Sequence, residues 1–196
     1  MKKLDPAGYR TMPWKNGGGT TTEVLTLPEG ATLETFEARV SFAHVASDGP
    51  FSLFEGVDRT LVVTSGAGLT LHMADDADVT LDLHSRPLVF TGEDPCTATL
   101  TEGPITDLNV MTRRARLKHR AARVTLGTDQ SVTCTGALSL LVVLAGEILA
   151  TDDAGEVALT KGDVLAVWPG DPMAVLRAKD PEAGPPEVLL VDFTRR

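Results

Sequence analysis

With 196 residues, 42% of them hydrophobic and 23% charged, the chain can bury a core as one large domain or two small ones. A formal net charge of −9 and a pI near 4.9 disfavour nucleic acid or an anionic membrane as partner. No apolar run approaches the roughly 18 residues of a membrane helix, and "MKKLDPAGYR" at 1–10 lacks the apolar stretch of a secretory signal, so a cytoplasmic location is expected.

The first element of note is "MPWKNGGGTTTEV" at 12–24. A phosphate loop needs its lysine after the glycines and a helix to follow; here Lys15 precedes them and "TTTEVLTL" reads as a strand. The dinucleotide pattern fails as well, because Thr22 stands where the third glycine belongs. Gly17, Gly18 and Gly19 are read instead as giving positive φ and close approach, turning Trp14, Lys15 and Asn16 toward a barrel mouth. Further along, "FEARVSFAHV", "RTLVVTSGAGLTLHM", "LSLLVVLAGEILA" and "EVLLVDF" are rich in Val, Leu, Thr and Phe, bounded by Gly, Pro and Asp. Many short strands of this kind predict an all-β sandwich or barrel. Between them, "RRARLKHRAAR" at 113–123 holds six of the 18 Lys and Arg and has helix-forming composition without an apolar stripe. It is expected to be a solvated basic connector. Cys96 and Cys134 have no CxxC partner and read as idle thiols in a reducing compartment.

The chain also repeats. "LVVTSG" at 61–66 returns as "LVVLAG" at 141–146, each followed by a strand, an acidic turn ("ADDAD", "TDDAGE"), another strand and a corner ("FTGEDP", "WPGDP"). Two copies of one supersecondary order predict a duplicated small barrel, divided at 1–114 and 115–196, with 115–123 as the connector. Within strands, period-two alternation decides which side chains share a face. Arg59 lies with Leu61 and Val63, so an inward arginine needs an acidic partner from protein or ligand. Asn109 and Met111 share a face with Arg113, opposite Leu108 and Val110. Glu37, Arg39 and Ser41 alternate with Phe36, Ala38, Val40 and Phe42, which by itself reads as a solvent-facing polar side.

The order of these elements resembles the cupin jelly roll, and the chain resembles a bicupin. Metal-binding cupins carry G-x5-H-x-H-x3,4-E-x6-G, then P-x-G-x2-H. Here the glutamate slot falls on Arg59 in the first half and Ser139 in the second, the first-half histidine slots among Ser52, Leu53, Phe54 and Glu55, and the later histidine near Met173. None of these is a histidine, so neither a metal nor another cofactor is expected.

The stretch at 12–24 resembles the Pro-Trp-(Lys/Arg)-Asn-Gly-Gly-Gly-x-Thr-x-Glu motif of the HutD/Ves family of bicupins. "ARVSFAHVASDGPFS" at 38–52, "FEGVDRTL" at 54–61 and "TEGPITDLNVMTRR" at 101–114 match the same family in order. One departure stands out: the family usually has an aromatic before the Arg of the strand, and here Ala38 stands there. The resemblance implies a ligand site of Trp14, Lys15, Asn16, Gly17, Glu23, Arg39, Ser41, Arg59, Asn109 and Met111, with Glu23 pairing Arg39 or Arg59. It implies a role in histidine utilisation and a small anionic metabolite such as formylglutamate or urocanate as ligand. No Ser-His-Asp or Cys-His set assembles from these motifs, and no catalytic base near neutral pH stands out. The expectation is a metal-independent binding protein with a regulatory role. Two alternatives stay open: a metal-free isomerase or hydrolase using Glu23 or Glu55 as base, and a module acting on a regulatory protein. The sequence leaves the oligomeric state open.

Overall fold

The computed structural model describes residues 1–74, 77–127, 129–133 and 135–196. Cys134 and the centre of the first acidic turn therefore lie outside the described residues. The chain is all-β, and among the described residues the helical elements are two short 3-10 turns, Pro6–Gly8 and Pro181–Ala183. No helix there is long and apolar enough to cross a membrane.

Strand β1 is Lys2–Lys3. The strands that follow are β2 (Arg10–Pro13), β3 (Gly19–Leu27), β4 (Ala38–Val45), β5 (Gly49–Pro50) and β6 (Val57–Ser65). Then come β7 (Leu69–Met73), β8 (Val79–Leu81), β9 (Leu88–Thr91), β10 (Cys96–Leu100) and β11 (Ile105–Arg113). The remainder are β12 (Leu117–Thr125), β13 (Gln130–Val132), β14 (Leu138–Ala145), β15 (Glu147–Asp152), β16 (Gly155–Thr160), β17 (Val164–Val167), β18 (Ala174–Ala178) and β19 (Glu187–Arg195).

Two compact units result: Pro6–Lys118 with Arg196, and His119–Arg195 with Met1–Asp5. The boundary expected at 114 thus falls at Lys118, and the first five residues leave the N-terminal unit, because Lys2 and Lys3 pair with Ala166 and Leu165 on β17. The N-terminal unit has a six-stranded sheet, β2-β3-β4-β11-β6-β9, and a four-stranded sheet, β5-β10-β7-β8. Residues from both sheets meet in one core that includes Val45, Leu61, Leu71, Leu81, Phe90 and Ala98. The C-terminal unit has a five-stranded sheet, β12-β19-β14-β17-β1, and a four-stranded sheet, β13-β18-β15-β16, sharing a core of Leu141, Ile148, Leu159, Leu165, Leu176 and Val188.

The sequence repeat is therefore a repeat of strand order: β4-β11-β6-β9 corresponds to β12-β19-β14-β17, and β5-β10-β7-β8 to β13-β18-β15-β16. Its corners match in detail. Asp94 Oδ2 accepts from Thr91 N at 3.0 Å, and Asp171 Oδ2 accepts from Trp168 N at 2.9 Å. The N-terminal unit differs by the hairpin β2-β3, added outside β4.

The expected basic connector is instead β12. The residues from 117 alternate in burial, with Leu117 buried, Lys118 and Arg120 exposed and His119 and Ala121 half-buried. Arg123 pairs with Glu187 at 2.8 Å and the His119 ring lies 6.2 Å from that of Phe193. Pairing with β19 overrides the helix-favouring composition, as sheet context commonly overrides propensity.

Candidate functional site

Strands β4, β11 and β6 are long, central and buried on both faces. Their register brings Arg39 opposite Met111, Ser41 opposite Asn109, and Met111 opposite Arg59. These side chains line a cavity of about 570 Å³ in the N-terminal unit, closed on other sides by the β2–β3 turn and by residues 50–54.

Arg59 is 6% exposed. Its Nη2 donates to Asn109 Oδ1 at 2.8 Å and its Nη1 to the Ser52 carbonyl at 3.3 Å, while Nε has no partner among the described residues. The guanidinium carbon sits 4.8 Å from the Phe90 ring centroid, 5.3 Å from Phe51 and 5.6 Å from Phe54, an aromatic enclosure worth about 0.5–2 kcal/mol per cation–π contact. Burial pulls its pKa below the usual arginine value despite the attraction of Asp107. A buried cation without a salt bridge among the described residues has the chemistry to accept an anion.

Arg39 is held differently. Its Nε donates to Glu23 Oε2 at 2.8 Å, and its Nη1 reaches Ser41 Oγ at 3.3 Å and Met111 Sδ at 4.0 Å. A register shift between Glu23 and Leu25 on β3 places Glu23 beside Ser41, from which it reaches Arg39. Such bulges re-aim a side chain that regular pairing would send elsewhere.

Asn109 links Arg59 to a carboxyl. Its Nδ2 donates to Asp107 Oδ1, leaving Asp107 Oδ2 buried and unpartnered among the described residues. Burial pushes the Asp107 carboxyl up to about 7, only partly offset by Arg59 and by Asn109. At the strand end, Arg113 donates to the carbonyls of Glu34 at 2.7 Å, Leu33 at 3.3 Å and Glu55 at 3.2 Å, which fixes the segment whose Leu33 edges the cavity.

The glycine motif forms the turn from β2 to β3. Gly17 N donates to the Trp14 carbonyl at 3.1 Å, Trp14 N to the Gly19 carbonyl at 2.9 Å, and Asn16 Oδ1 accepts from Gly18 N at 3.1 Å. Gly17 has φ 73°, and a Cβ on Gly19 would lie 2.2 Å from the His44 carbonyl oxygen and 3.2 Å from the Trp14 ring. Trp14, anchored by Nε1 to Thr21 Oγ1 at 2.8 Å, packs its ring against the core. Gly19→Ala is expected to cost about 1–3 kcal/mol in urea denaturation, since the β3–β4 pair must open to admit the methyl group.

Eight of the ten residues expected at the site line the cavity: Trp14, Lys15, Asn16, Arg39, Ser41, Arg59, Asn109 and Met111. Gly17 and Glu23 do not; Gly17 shapes the turn and Glu23 secures Arg39. Arg39 and Ser41 are buried at 6% and 1%, correcting the solvent-facing reading of their side of the strand. Ala38, fully buried on the opposite face of β4, does not line the cavity. Sequence reasoning missed Asp107, although it shares a face with Asn109 and Met111, and it missed the phenylalanines at 51 and 54. Asp107 also corrects the expectation of no base near neutral pH, whereas Glu55 is exposed and outside the cavity wall. Elsewhere, His72 bonds Asp78 at 2.8 Å and Thr99 at 3.0 Å, an exposed trio outside the wall of this cavity.

The HutD family model matches residues 6–183. The chain belongs to the HutD family. Protein Ves of Citrobacter koseri is 40% identical over 113 residues, covering 56% of this chain; the chain spans 58% of that relative's length. The solved structure of HutD from Pseudomonas fluorescens superposes with a TM-score of 0.81 at 28% identity, covering 100% of this chain and 98% of that one. A cupin conserved barrel domain protein from Leptotrichia buccalis gives 0.62 at 13% identity, covering 92% and 91%, a likeness of fold. In this HutD-family chain, positions that the metal-cupin spacing assigns to ligands (Ser52, Phe54 and Arg59) lie on the cavity wall. Among the described residues no three His, Cys, Asp or Glu side chains converge as a metal site. The repeat places Ser139 where Arg59 stands, and Ser139 donates to Asp192, its cross-strand partner, as Met111 is that of Arg59.

Proposed function

We propose that this HutD-family chain is a cytoplasmic bicupin of two jelly-roll halves that binds a small carboxylate metabolite of histidine degradation. It does so without a metal, and serves regulation of the pathway rather than turnover. The observation that carries the reading is Arg59, a buried guanidinium with an unpartnered Nε among the described residues, ringed by three phenylalanines on a cavity of small-molecule size. Its fork matches a carboxylate, and a desolvated site strengthens that bond. Arg39 and Lys15 add positive potential on the cavity wall, while Trp14, Phe51 and Met111 supply apolar surface. The names of relatives, HutD of Pseudomonas fluorescens among them, point to histidine utilisation.

Calorimetric titration with formylglutamate, urocanate, histidine and glutamate tests the reading. At least one acid should bind with a stoichiometry of one per chain and be recovered unchanged. Absence of heat with all four overturns the ligand assignment. Turnover of any of them decides instead for a metal-free enzyme, for which Asp107, titrating near neutrality, is the candidate acid–base group.

A further inference from the structure

Among the described residues, Asp107 is the one carboxylate side chain on the cavity wall. It is 1% exposed, and its cross-strand neighbours are Ala43 on β4 and Val63 on β6. Arg59 is the charged group that acts on it directly, and Arg39 and Lys15 line the same cavity. Arg59 on β6 reaches it through Asn109, and Arg39 on β4 is already bound by Glu23 of β3. Lys15 stands on the turn wall, and Cys96 on β10 interacts electrostatically with Arg59. None of these makes a salt bridge to Asp107 among the described residues.

Asn109 sets the direction of the network. Its Oδ1 is engaged by Arg59, so its amide nitrogen must face Asp107 Oδ1. Asp107 Oδ2 remains, one amide group away from the guanidinium, with no protein partner among the described residues. A ligand carboxylate on Arg59 would stand in the same low-dielectric site as Asp107. Two carboxylates sharing such a site do not both stay ionised.

We propose that Asp107 engages the ligand in its neutral form, its Oδ2–H donating to an acceptor oxygen of the ligand while Arg59 holds the ligand's carboxylate. Where the free protein holds Asp107 ionised, one proton is taken from solvent onto Oδ2 with each anion bound. This rests on the carboxylate reading of Arg59 and deepens it. The ligand class narrows to acids with a second oxygen acceptor, such as a formamide or another carboxylate, against acids with an ammonium at that position.

Formylglutamate is a suitable probe, because its carboxylates stay ionised throughout the neutral range. The full-length protein is titrated calorimetrically from about pH 6 to about pH 8.5, in phosphate and in Tris, whose ionisation heats differ. The dissociation constant should be flat on the acid side and rise about tenfold per pH unit above about pH 7, with proton uptake approaching one per site. Asp107→Asn keeps Oδ1 for Asn109 and puts a permanent donor in place of Oδ2–H. It should bind formylglutamate with no pH dependence and no proton uptake. A flat wild-type profile, proton release, or uptake that persists in Asp107→Asn overturns the role of Asp107 and leaves the carboxylate reading intact. Glutamate binding more tightly than formylglutamate as pH rises also overturns it. No heat from formylglutamate at about pH 6 while another of the four acids binds overturns the role of Asp107 alone; no heat from any of the four overturns both.

Discussion

Replacing Arg59 by methionine should abolish carboxylate binding, by a hundredfold or more, while leaving the stability of the unliganded fold within about 1 kcal/mol of wild type. The first effect follows from losing a charge-assisted, forked hydrogen bond in a desolvated site, worth about 2–5 kcal/mol in comparable charge-pair truncations. The second follows from opposing terms. Methionine forfeits the bonds to Asn109 and to the Ser52 carbonyl and the cation–π contacts with Phe51, Phe54 and Phe90. It also removes the desolvation penalty of a buried cation, several kcal/mol in effective terms. The lowered pKa of Arg59 says that this penalty exceeds the compensation its surroundings give the charged form. Methionine is long, apolar and adaptable enough to fill the aromatic enclosure. Calorimetry and urea denaturation of the same preparation separate the two effects. Wild-type affinity in Arg59→Met would remove Arg59 from the site; a large loss of stability would make it a structural residue.

Stability should also fall as pH rises from about 4 to about 7, a slope that Asp107→Asn flattens. Asp107, which ordinarily titrates near 3.8, is pushed up to about 7 in the fold by burial. Between those values the folded chain holds a proton that the unfolded chain has lost, so raising pH favours unfolding. Three pH units at about 1.4 kcal/mol each make the effect on the order of 4 kcal/mol, fully developed above pH 7. Glu93 works in the opposite sense: its ion pair with Arg114 brings its carboxyl from 4.5 down to about 2. Its contribution is present above about pH 4.5 and fades as pH falls toward 2. Together they place maximal stability near pH 4 to 5. Denaturation midpoints across this range check the sign, and a wild-type profile that rises toward pH 7, or a slope retained in Asp107→Asn, would show that Asp107 is not the group responsible.

Much of this site could be read from residues. Arg59 stood out because it interrupts an otherwise apolar face, and Glu23 because a buried guanidinium needs a carboxylate; the fold gives it to Arg39 on the adjacent strand β4. Asp107 did not, because an aspartate alternating with leucine and valine looks like the wet side of a strand. Only the register of β4, β11 and β6 shows that the polar side is the inward one. The same difficulty hid the true face of Arg39, which entered the expected site through its motif rather than its alternation. The strand β12 was missed for another reason: its partner β19 begins about sixty residues away, and local composition carries no trace of it.

The pairing of Lys2 and Lys3 with β17 has a kinetic consequence. In connectivity, the N-terminal unit is an insertion between the first strand of the C-terminal unit and all the rest of it. During synthesis, residues 6–118 have every strand of their two sheets available before β17 exists. The first two paired residues of the chain must therefore wait, tethered to an assembled domain, for the ribosome to deliver Leu165 and Ala166. Closing that contact spans most of the polypeptide, yet residues 6–118 within it are already compact, so less of the chain is left to search than in an open loop of equal length.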